Sequence, residues 1–138
     1  MSKTGKSAKP SSTDRQALRK RVKHFHHAFN KADWQACFVQ IDPQLSENDK
    51  VRIEAYSKLM DVFKEAYGAV SIWLTRISMH PEGASKQGDK RPFAYVYVIW
   101  QDAAYGFHMF RERWVKDHGE WYTRVVGLVP NKQEMVAA

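Results

Sequence analysis

The hydrophobic positions divide the chain into a helical first half and a strand-rich second half. Between Thr13 and Lys31, apolar residues recur every three or four positions, which is the period of one helix face. These apolar residues are Leu18, Val22, Phe25 and Phe29. Ser12 or Thr13 would cap this segment at its N-terminus. The pattern therefore predicts a first helix that ends near Lys31.

Two more helices are predicted before the strands begin. A short one covers "DWQACFVQI", with Asp33 as its N-cap and an Asp-Pro pair as its end, because proline disfavours helical geometry in the residue before it. A long one covers "SENDKVRIEAYSKLMDVFKEAYG" and places Tyr56 on its apolar stripe. It would open with a capping box at Ser46 and Asp49 and close at Gly68.

Four strands are predicted after these helices. The segments rich in β-branched and aromatic residues are "AVSIWLTRISMH", "PFAYVYVIWQD", "FHMFRERWVK" and "WYTRVVGLVP". The connection "AAYG" is tight, and "DHGE" places a glycine where a short hairpin turn favours one. Three helices followed by a four-stranded antiparallel meander form an α+β fold, in which a curved sheet wraps over the helices.

Composition narrows the class of protein. A chain of 138 residues with 43% apolar residues fits one domain with a real hydrophobic core. A single cysteine, Cys37, excludes an internal disulfide framework and a multi-cysteine metal site. The longest apolar run, "FAYVYVIW", is too short to cross a bilayer, and the N-terminus has no apolar signal core. We expect a soluble, cytoplasmic protein that does not bind membranes.

The formal charge of +7 is unevenly distributed along the chain. Residues 1–31 carry nine Lys or Arg against one acid, whereas the rest of the chain is nearly neutral. Basic arms can attract phosphate, but a Lys- and Ser-rich terminus is equally often a solvated tail, so nucleic acid is not an expected partner. We predict a disordered basic tail at 1–12, a single α+β domain at 13–130, and a flexible C-terminal tail at 131–138.

Three features of this layout resemble one superfamily. They are the first helix running into "NKADWQACFVQIDPQL", the long helix leading straight into a long strand, and the closing hairpin "ERWVKDHGEWYTRVVGLVP". Over residues 13–130 the chain resembles the nuclear transport factor two-like superfamily, also called SnoaL-like or cystatin-like α+β cones. The resemblance implies a cone-shaped pocket between sheet and helices, and a homodimer formed through the sheet. It does not imply one chemistry, because members include isomerases, dehydratases, hydrolases and non-catalytic domains.

The stretch "RVKHFHHAFN" places three histidines in the first helix. At about 100° per residue, His27 points away from the apolar stripe, His24 lies on the solvent side, and His26 falls on the flank. The three rings do not converge, and a structural zinc would need further ligands from elsewhere. We interpret the cluster as a solvated helix face, and expect no metal. No cofactor is expected either, because the sequence has no nucleotide-binding glycine motif.

Strand alternation places the candidate chemistry on one face of the sheet. If "AAYG" is a four-residue turn, His108 shares a face with Gln101. One predicted face then comprises Phe93, Tyr95, Tyr97, Ile99, Gln101, His108, Phe110, Glu112, Trp114, Trp121, Thr123 and Val125. The opposite face comprises Ala94, Val96, Val98, Trp100, Met109, Arg111, Arg113, Tyr122 and Arg124. A one-residue change in either turn would exchange the faces.

The first of these faces is predicted to line a pocket for a small, largely apolar molecule. Its candidate ligand-binding residues are Tyr56, Tyr95, Tyr97, Trp114, Trp121 and Thr123. Glu112 beside two tryptophans would lose its water, which suits general acid–base work, with His108 as the partner proton carrier. Alternatively, Glu112 forms an ion pair with an arginine of the sheet. The candidates for that pair are Arg111, Arg113 and Arg124.

Three hypotheses about function follow. The leading one is a SnoaL-like domain that binds a small apolar molecule in its cone, with catalysis unproven. The second is a cofactor-free isomerase or dehydratase that uses Glu112, His108 and a tyrosine. The third is a protein-interaction module whose basic first helix and tail hold an acidic partner. The enzyme needs Glu112 buried beside His108 in an open pocket, whereas the interaction module works with a filled cone.

Overall fold

The protein has an α+β fold in which four helices precede an open, four-stranded antiparallel sheet. The computed structural model describes residues 12–48, 50–84, 88–102, 106–128 and 135–137. The fold class predicted from the sequence is confirmed at this level. The predicted N-terminal tail lies outside the described residues as far as residue 11.

The helices follow the apolar periodicity of the first half of the chain. They are α1 (Ser12–Asn30), α2 (Trp34–Phe38), α3 (Pro43–Ser46) and α4 (Ile53–Tyr67). The predicted cap of α2 is confirmed, because the carboxylate of Asp33 accepts a hydrogen bond from the amide of Ala36 at 3.1 Å. At the far end, Gly68 ends α4 with a positive φ of 70°, as predicted.

The short helix α3 was not predicted, and the reason is local. The Asp-Pro pair was interpreted only as the end of the preceding helix. In the structure Asp42 caps a new helix by accepting the amide of Gln44 at 3.1 Å, with Pro43 in the first turn. An Asp cap followed by proline is equally a helix start, since proline lacks the amide that would otherwise be unsatisfied.

The long helix α4 begins later than predicted. The start predicted at Ser46 is wrong, because Ser46 is the last residue of α3 and the helix begins at Ile53. Between them the chain turns back on itself, with the amides of Lys50 and Val51 donating to the carbonyl of Leu45 at 3.0 and 3.2 Å. The other half of the predicted capping box, residue 49, lies outside the described residues.

The strands form two sheets rather than one meander. They are β1 (Ser71–His80), β2 (Phe93–Asp102), β3 (Gly106–Asp117), β4 (Glu120–Thr123), β5 (Val125–Leu128) and β6 (Met135–Ala137). The order β1-β2-β3-β4 makes the main sheet, and β5 pairs with β6. The predicted single last strand at 121–130 is therefore broken at Arg124. The strand β6 lies within the segment 131–138 that was predicted as a tail.

The turn between β2 and β3 corrects the predicted assignment of faces. Trp100 pairs with His108, and Asp102 pairs with Gly106, so three residues rather than four separate the strands. Because of this one-residue difference, the even-numbered residues of β2 face the helices, whereas the odd-numbered ones had been predicted to do so. We call the face that packs on the helices the inner face. Its buried residues from β2 and β3 are Ala94, Val96, Val98, Trp100, Asp102, His108, Phe110, Glu112 and Trp114.

The opposite, outer face carries residues that had been predicted for the pocket. Tyr95 and Tyr97 are half-buried there, in register with Arg113 and Arg111 of β3. By contrast, the predicted hairpin between β3 and β4 is confirmed. Asp117 pairs with Glu120 across a two-residue turn whose φ angles, 51° and 84°, are both positive.

A β-bulge in β1 also sets which side chains face outward. The register with β2 shifts between Leu74 and Arg76, so Thr75 is an extra residue in β1. Before the bulge the odd-numbered residues of β1 face outward, and Trp73 is exposed there. After the bulge the even-numbered residues face outward. Arg76 consequently points outward, and Ile77 is buried against the helices.

The hydrophobic core lies between the inner face and helices α1 and α4. At its centre Trp100 is 2% exposed. Its ring centroid lies 5.1 Å from that of Phe29, 5.3 Å from that of Phe63 and 5.4 Å from that of Phe110. Aromatic pairs at these separations stabilise a core beyond the area they bury. The centre of the fold is therefore an aromatic cluster that joins both long helices to the sheet.

Candidate functional site

A buried carboxylate joins the first helix to the inner face of the sheet. Oε2 of Glu112 lies 2.8 Å from Nε2 of His26, and the indole Nε1–H of Trp114 donates to Oε1 of the same carboxylate at 2.9 Å. All three side chains are buried. Because an ionised carboxylate only accepts hydrogen bonds, Nε2 of His26 carries the proton when Glu112 is charged. Both oxygens of Glu112 thus have a partner.

The position of His26 corrects the interpretation of the histidine cluster. His24 and His27 are exposed, as predicted, but His26 is 7% exposed and so does not belong to a solvated face. A helical wheel locates His26 on the flank of the apolar stripe. The curved sheet covers that flank as well, so the buried sector of α1 is wider than the stripe alone. Residues three apart are neighbours on a helix surface, so His26 lies next to the apolar Phe29. This spacing was the signal in the sequence for the burial of His26.

A second buried histidine–carboxylate pair lies on the same face. Nε2 of His108 is 3.0 Å from Oδ2 of Asp102, which is the last residue of β2. His108 and Asp102 are 7% and 6% exposed. The ring of Tyr67, at the end of α4, meets the imidazole edge-on at 5.1 Å, and the ring of Phe110 is stacked at 6.3 Å. The pair is therefore enclosed by aromatic rings.

The predicted pairing of Glu112 with His108 does not occur. The two residues share the inner face, but a separation of four positions along β3 corresponds to roughly 13 Å. Each has its own partner instead, His26 for Glu112 and Asp102 for His108. A carboxylate that holds one imidazole nitrogen orients the ring and fixes its tautomer, which prepares the other nitrogen for proton transfer. The arrangement thus consists of two separate pairs of this type.

The alternative pairing of Glu112 with an arginine is also wrong. Arg111 and Arg113 lie on the outer face, where their guanidinium groups contact tyrosine and phenylalanine rings. Arg124 binds Asp42. The error has the same origin as the misplaced tyrosines, because a side chain on the other face of a strand cannot reach Glu112.

The remaining predicted pocket residues are buried on the helix side of the sheet. Trp121 and Thr123 of β4 are 2% and 1% exposed, and Tyr56 of α4 is 1% exposed. Burial and the neighbouring Cys37 raise the pKa of Tyr56 above its usual range. Burial, with a smaller contribution from Asp33, raises the pKa of Cys37 to about 12. Neither group ionises near neutral pH, so neither supplies a nucleophile there.

A third buried carboxylate, that of Asp42, joins three loops outside this core. It is fully buried, and Arg91 binds both of its oxygens, with distances of 2.8 and 2.7 Å. Arg124, at the break between β4 and β5, donates to the same carboxylate at 2.5 Å. Arg91 also binds Asp89 at 2.8 Å. This network ties the α3 cap, the β1–β2 loop and the strand break together.

The charges of this network change how its acids titrate. Burial alone would raise the pKa of Asp42, but hydrogen bonds from Arg91 and Arg124 outweigh it and lower the pKa below its usual value. Hydrogen bonds from Arg91 also lower the pKa of Asp89, to about 2. Both acids are therefore held in their charged form by the folded structure.

Among the described residues, two surface cavities have linings that include neither histidine pair. The smaller one, of about 400 Å³, is lined by Ala17, Lys20, Arg21, His24, Gly119, Glu120 and Trp121. The larger one, of about 690 Å³, borders the Asp42 network and is lined mainly by charged side chains, including Lys90, Arg91 and Lys116. Within the described ranges, no group of three His, Cys, Asp or Glu side chains could hold a metal ion. In the same ranges no helix is long and apolar enough to cross a membrane.

Comparisons with family models, with curated proteins and with solved structures find no match for this chain. The two histidine–carboxylate pairs and the surfaces around them are the features of the molecule that bear on its function.

We predict that breaking the His26–Glu112 pair destabilises the fold. The variant His26→Phe leaves the buried Glu112 without its imidazole partner, and should lower the free energy of unfolding by about 3 kcal/mol or more. The matched variant His27→Phe changes the exposed neighbour, and should stay within about 0.5 kcal/mol of the unmodified protein. Urea unfolding followed by far-ultraviolet circular dichroism measures both. Equal losses in the two variants would contradict the buried pair.

We also predict a loss of stability in acid that depends on Asp42. Since the folded-state pKa values of Asp42 and Asp89 lie below the unfolded value of about 4, the unfolded chain binds more protons in this window. The free energy of unfolding should therefore fall as the pH decreases from about 5 to about 2. Asp42→Asn should flatten this dependence, whereas Glu47→Gln, at an exposed acid, should leave it unchanged. Unfolding curves over this pH range are the measurement, and a slope unaltered by Asp42→Asn would refute the assignment.

Proposed function

We propose that this chain is a nuclear transport factor two-like α+β domain that binds a small, largely apolar molecule at the end of the inner face. Neither described cavity reaches His108, so the molecule enters by moving the ring of Tyr67 away from the imidazole. We further propose that His108 and Asp102 transfer a proton within the bound molecule, as in a cofactor-free isomerase or dehydratase. The single observation that carries this proposal is the His108–Asp102 contact of 3.0 Å inside an aromatic enclosure.

The cost of burying charge supports a functional role for such a pair. Removing two ionisable groups from water costs several kcal/mol per ion, and apolar replacements are often neutral or stabilising. A histidine–carboxylate pair is therefore a poor way to stabilise a core. Buried ionisable groups with a specific charged partner are instead candidates for functional sites.

The two buried pairs differ in their structural roles, and this difference favours His108 as the catalytic residue. The His26–Glu112 pair connects α1 to β3, so its role in positioning the helix is sufficient to explain it. The His108–Asp102 pair connects two adjacent strands that already pair through their backbones. It adds little to the docking of elements, and it lies at the end of the strands, where the inner face approaches its rim.

The chemistry that fits this pair is proton abstraction and return. The imidazole of His108 can take a proton from a carbon next to a carbonyl, and then deliver it to a neighbouring position or to a leaving hydroxyl. Asp102 holds the ring in one tautomer and stabilises the imidazolium that forms. The rings of Tyr67 and Phe110 provide apolar contacts, so the substrate class is a small, mainly hydrocarbon carbonyl compound.

The interaction-module hypothesis receives less support from the geometry. Two cations of the first helix bind the sheet internally, since Arg15 donates to the carbonyl of Ile77 at 2.9 Å and Arg21 donates to that of Trp121 at 3.0 Å. These two side chains are therefore partly occupied by the domain itself.

A homodimer formed through the sheet is the second part of the proposal. The outer face exposes Trp73, Phe107 and Met109, which are 47%, 61% and 68% exposed, and the rings of the first two lie 6.2 Å apart. Large apolar side chains that cluster on a surface are typical of interaction sites. A two-fold contact would place this patch against the same patch of a second copy, which removes apolar surface from water on both sides.

We predict that the protein catalyses exchange of carbon-bound protons with solvent. In deuterated water, a panel of small apolar ketones and β-hydroxy carbonyl compounds should lose α-proton signal in nuclear magnetic resonance spectra. His108→Gln should slow the exchange by about 10²-fold or more, which is the usual size of a general base contribution. The control His118→Gln alters an exposed histidine that also contacts an aspartate, Asp117 at 3.2 Å, and should have no effect. Equal effects of the two substitutions, or no exchange across the panel, would count against the enzyme proposal.

We predict that Met109→Lys prevents dimer formation. The substitution places a charge at the centre of the apolar patch, where a two-fold contact would bury it against its own copy. Sedimentation velocity should show a dimer for the unmodified protein and a monomer for the variant. Val62→Lys, which changes a 56% exposed apolar residue of α4, should remain dimeric. A monomer for the unmodified protein would rule out the sheet contact.

A further inference from the structure

The outer face carries a second feature, which begins at Arg111, one outward position beyond Met109. A two-fold contact that extends past the apolar patch therefore competes with any ligand of this feature. Three guanidinium groups lie over aromatic rings of β2, with their carbon atoms close to the ring centroids. The pairs are Arg76 over Tyr97 at 4.2 Å, Arg111 over Tyr95 at 4.3 Å, and Arg113 over Phe93 at 4.1 Å. We call these six residues the arginine ladder. Such contacts hold a guanidinium against a ring. The side chain is therefore already ordered, and loses little conformational entropy when it binds a ligand.

Strand register and the β-bulge build the ladder. Tyr97 pairs with Arg76 of β1 on one side and with Arg111 of β3 on the other, and Tyr95 pairs with Arg113. Without the extra residue at the bulge, Arg76 would have the parity of the inner face. β3 supplies two cations to this surface, Arg111 and Arg113. The bulge adds a third, Arg76.

The cations of the ladder have no carboxylate partner within the described part of the chain. Elsewhere the protein pairs its arginines, as Arg91 and Arg124 do with the buried Asp42. The outward positions around the ladder are apolar, aromatic or uncharged polar. They are Trp73, Ser78, His80, Ile99, Gln101, Phe107 and Met109. By the same alternation Asp117 and Glu120 also have outward positions, but they lie at the β3–β4 turn, four residues or more beyond Arg113, and Asp117 contacts Arg91 at 3.6 Å.

We propose that the arginine ladder binds a single strand of nucleic acid. Arg76 and Arg111 are exposed and each has one face on a ring, so each can donate to a phosphate while its open face stacks on a base. Arg113 is half-buried, and its Nη1 donates to the hydroxyl of Tyr95 at 3.3 Å, which leaves its remaining N–H groups for a phosphate. The strands present these groups about 6.6 Å apart along β3, which is two residues of an extended chain. A flexible single strand can follow such a row of cations, as it does on other aromatic and basic sheet surfaces.

The same features explain why a nucleic acid fits better than an acidic protein. A carboxylate uses only the N–H edges of a guanidinium, and would leave the stacked planes without a partner. A base has a π-face of its own and can cover those planes. The outward polar side chains near the ladder are few, so binding should show little base preference and should depend mainly on charge and stacking.

The charge totals of sequence segments did not predict this basic surface. Residues 32–138 have nearly equal numbers of acids and bases, which argued against nucleic acid as a partner. In the fold several of those acids lie elsewhere, for example Asp42 and Asp89 in the loop network, while the ladder gathers cations on one face. The local charge of a sheet face depends on strand alternation rather than on segment totals.

The experiment measures binding of the full chain to labelled oligouridine and oligothymidine of about ten nucleotides by fluorescence anisotropy. Three phosphate contacts on a single strand predict a log–log salt slope of about −2, so the affinity should fall about twentyfold between about 50 and about 200 mM salt. The triple variant Arg76→Gln, Arg111→Gln and Arg113→Gln should weaken binding at least tenfold and flatten the slope. A preference for uridine or for thymidine strands would assign the source as RNA or DNA, and either result supports the ladder.

Two further variants separate the ladder from general basicity. The triple variant Arg19→Gln, Lys20→Gln and Lys23→Gln removes the same charge from exposed positions of α1, and should bind within about twofold of the unmodified protein. Replacing the three ladder arginines by lysine keeps the charge but removes the planes, and should weaken binding about fivefold or more. Thermal unfolding of each variant checks that it is folded.

Several outcomes would overturn the proposal. One is a loss of binding in the α1 variant with none in the ladder variant. Another is competition by polyglutamate as effective as that by the oligonucleotide, which would indicate an acidic protein partner instead. A third is no binding of the unmodified protein at low salt.

Discussion

The fold depends on a carboxylate that the core has to satisfy. Glu112 lies inside an aromatic cluster, where an unpaired charge would cost several kcal/mol, so its two hydrogen bonds constrain everything around it. The bond to His26 fixes both the rotation and the height of α1 against the sheet. Once α1 is fixed, Phe25 meets Trp114 edge-on at 5.9 Å, and Phe29 meets Trp100 at 5.1 Å. Packing and polar satisfaction thus select the same arrangement.

The elements could be predicted wherever the signal was local. The first helix, the cap at Asp33, the glycine that ends α4 and the β3–β4 hairpin each depend on residues a few positions apart, and each is confirmed. The errors arose where two elements compete for the same residues. The pair Asp42-Pro43 was predicted to end the second helix, but α2 ends at Phe38 and the pair starts α3 instead. The β2–β3 turn differs by a single residue from the predicted length. Local preference cannot rank such alternatives, because the decision comes from tertiary contacts.

The site was only partly predictable for the same reason. Glu112 and His108 were correctly identified as facing the helices, because alternation along one strand is a short-range property. Their partners come from α1 and from the neighbouring strand, and a partner 86 positions away leaves no periodic trace in the chain. His26 was the hardest to find, since a residue on the flank of a helix is buried or exposed according to how far the sheet curves. The arginine ladder required both the corrected register and the bulge.

The bulge at Thr75 has a consequence for how the sheet meets other chains. β1 is at one end of the strand order, so its backbone groups on the side away from β2 form an edge that could pair with a strand of another molecule. An extra residue disrupts the regular spacing of that edge, and Arg15 already occupies the carbonyl of Ile77 two positions further on. A ten-residue strand rich in Ile, Trp and Leu would otherwise be a template for aggregation. The irregularity in β1 therefore makes this edge a poorer template for an added strand than a regular one would be.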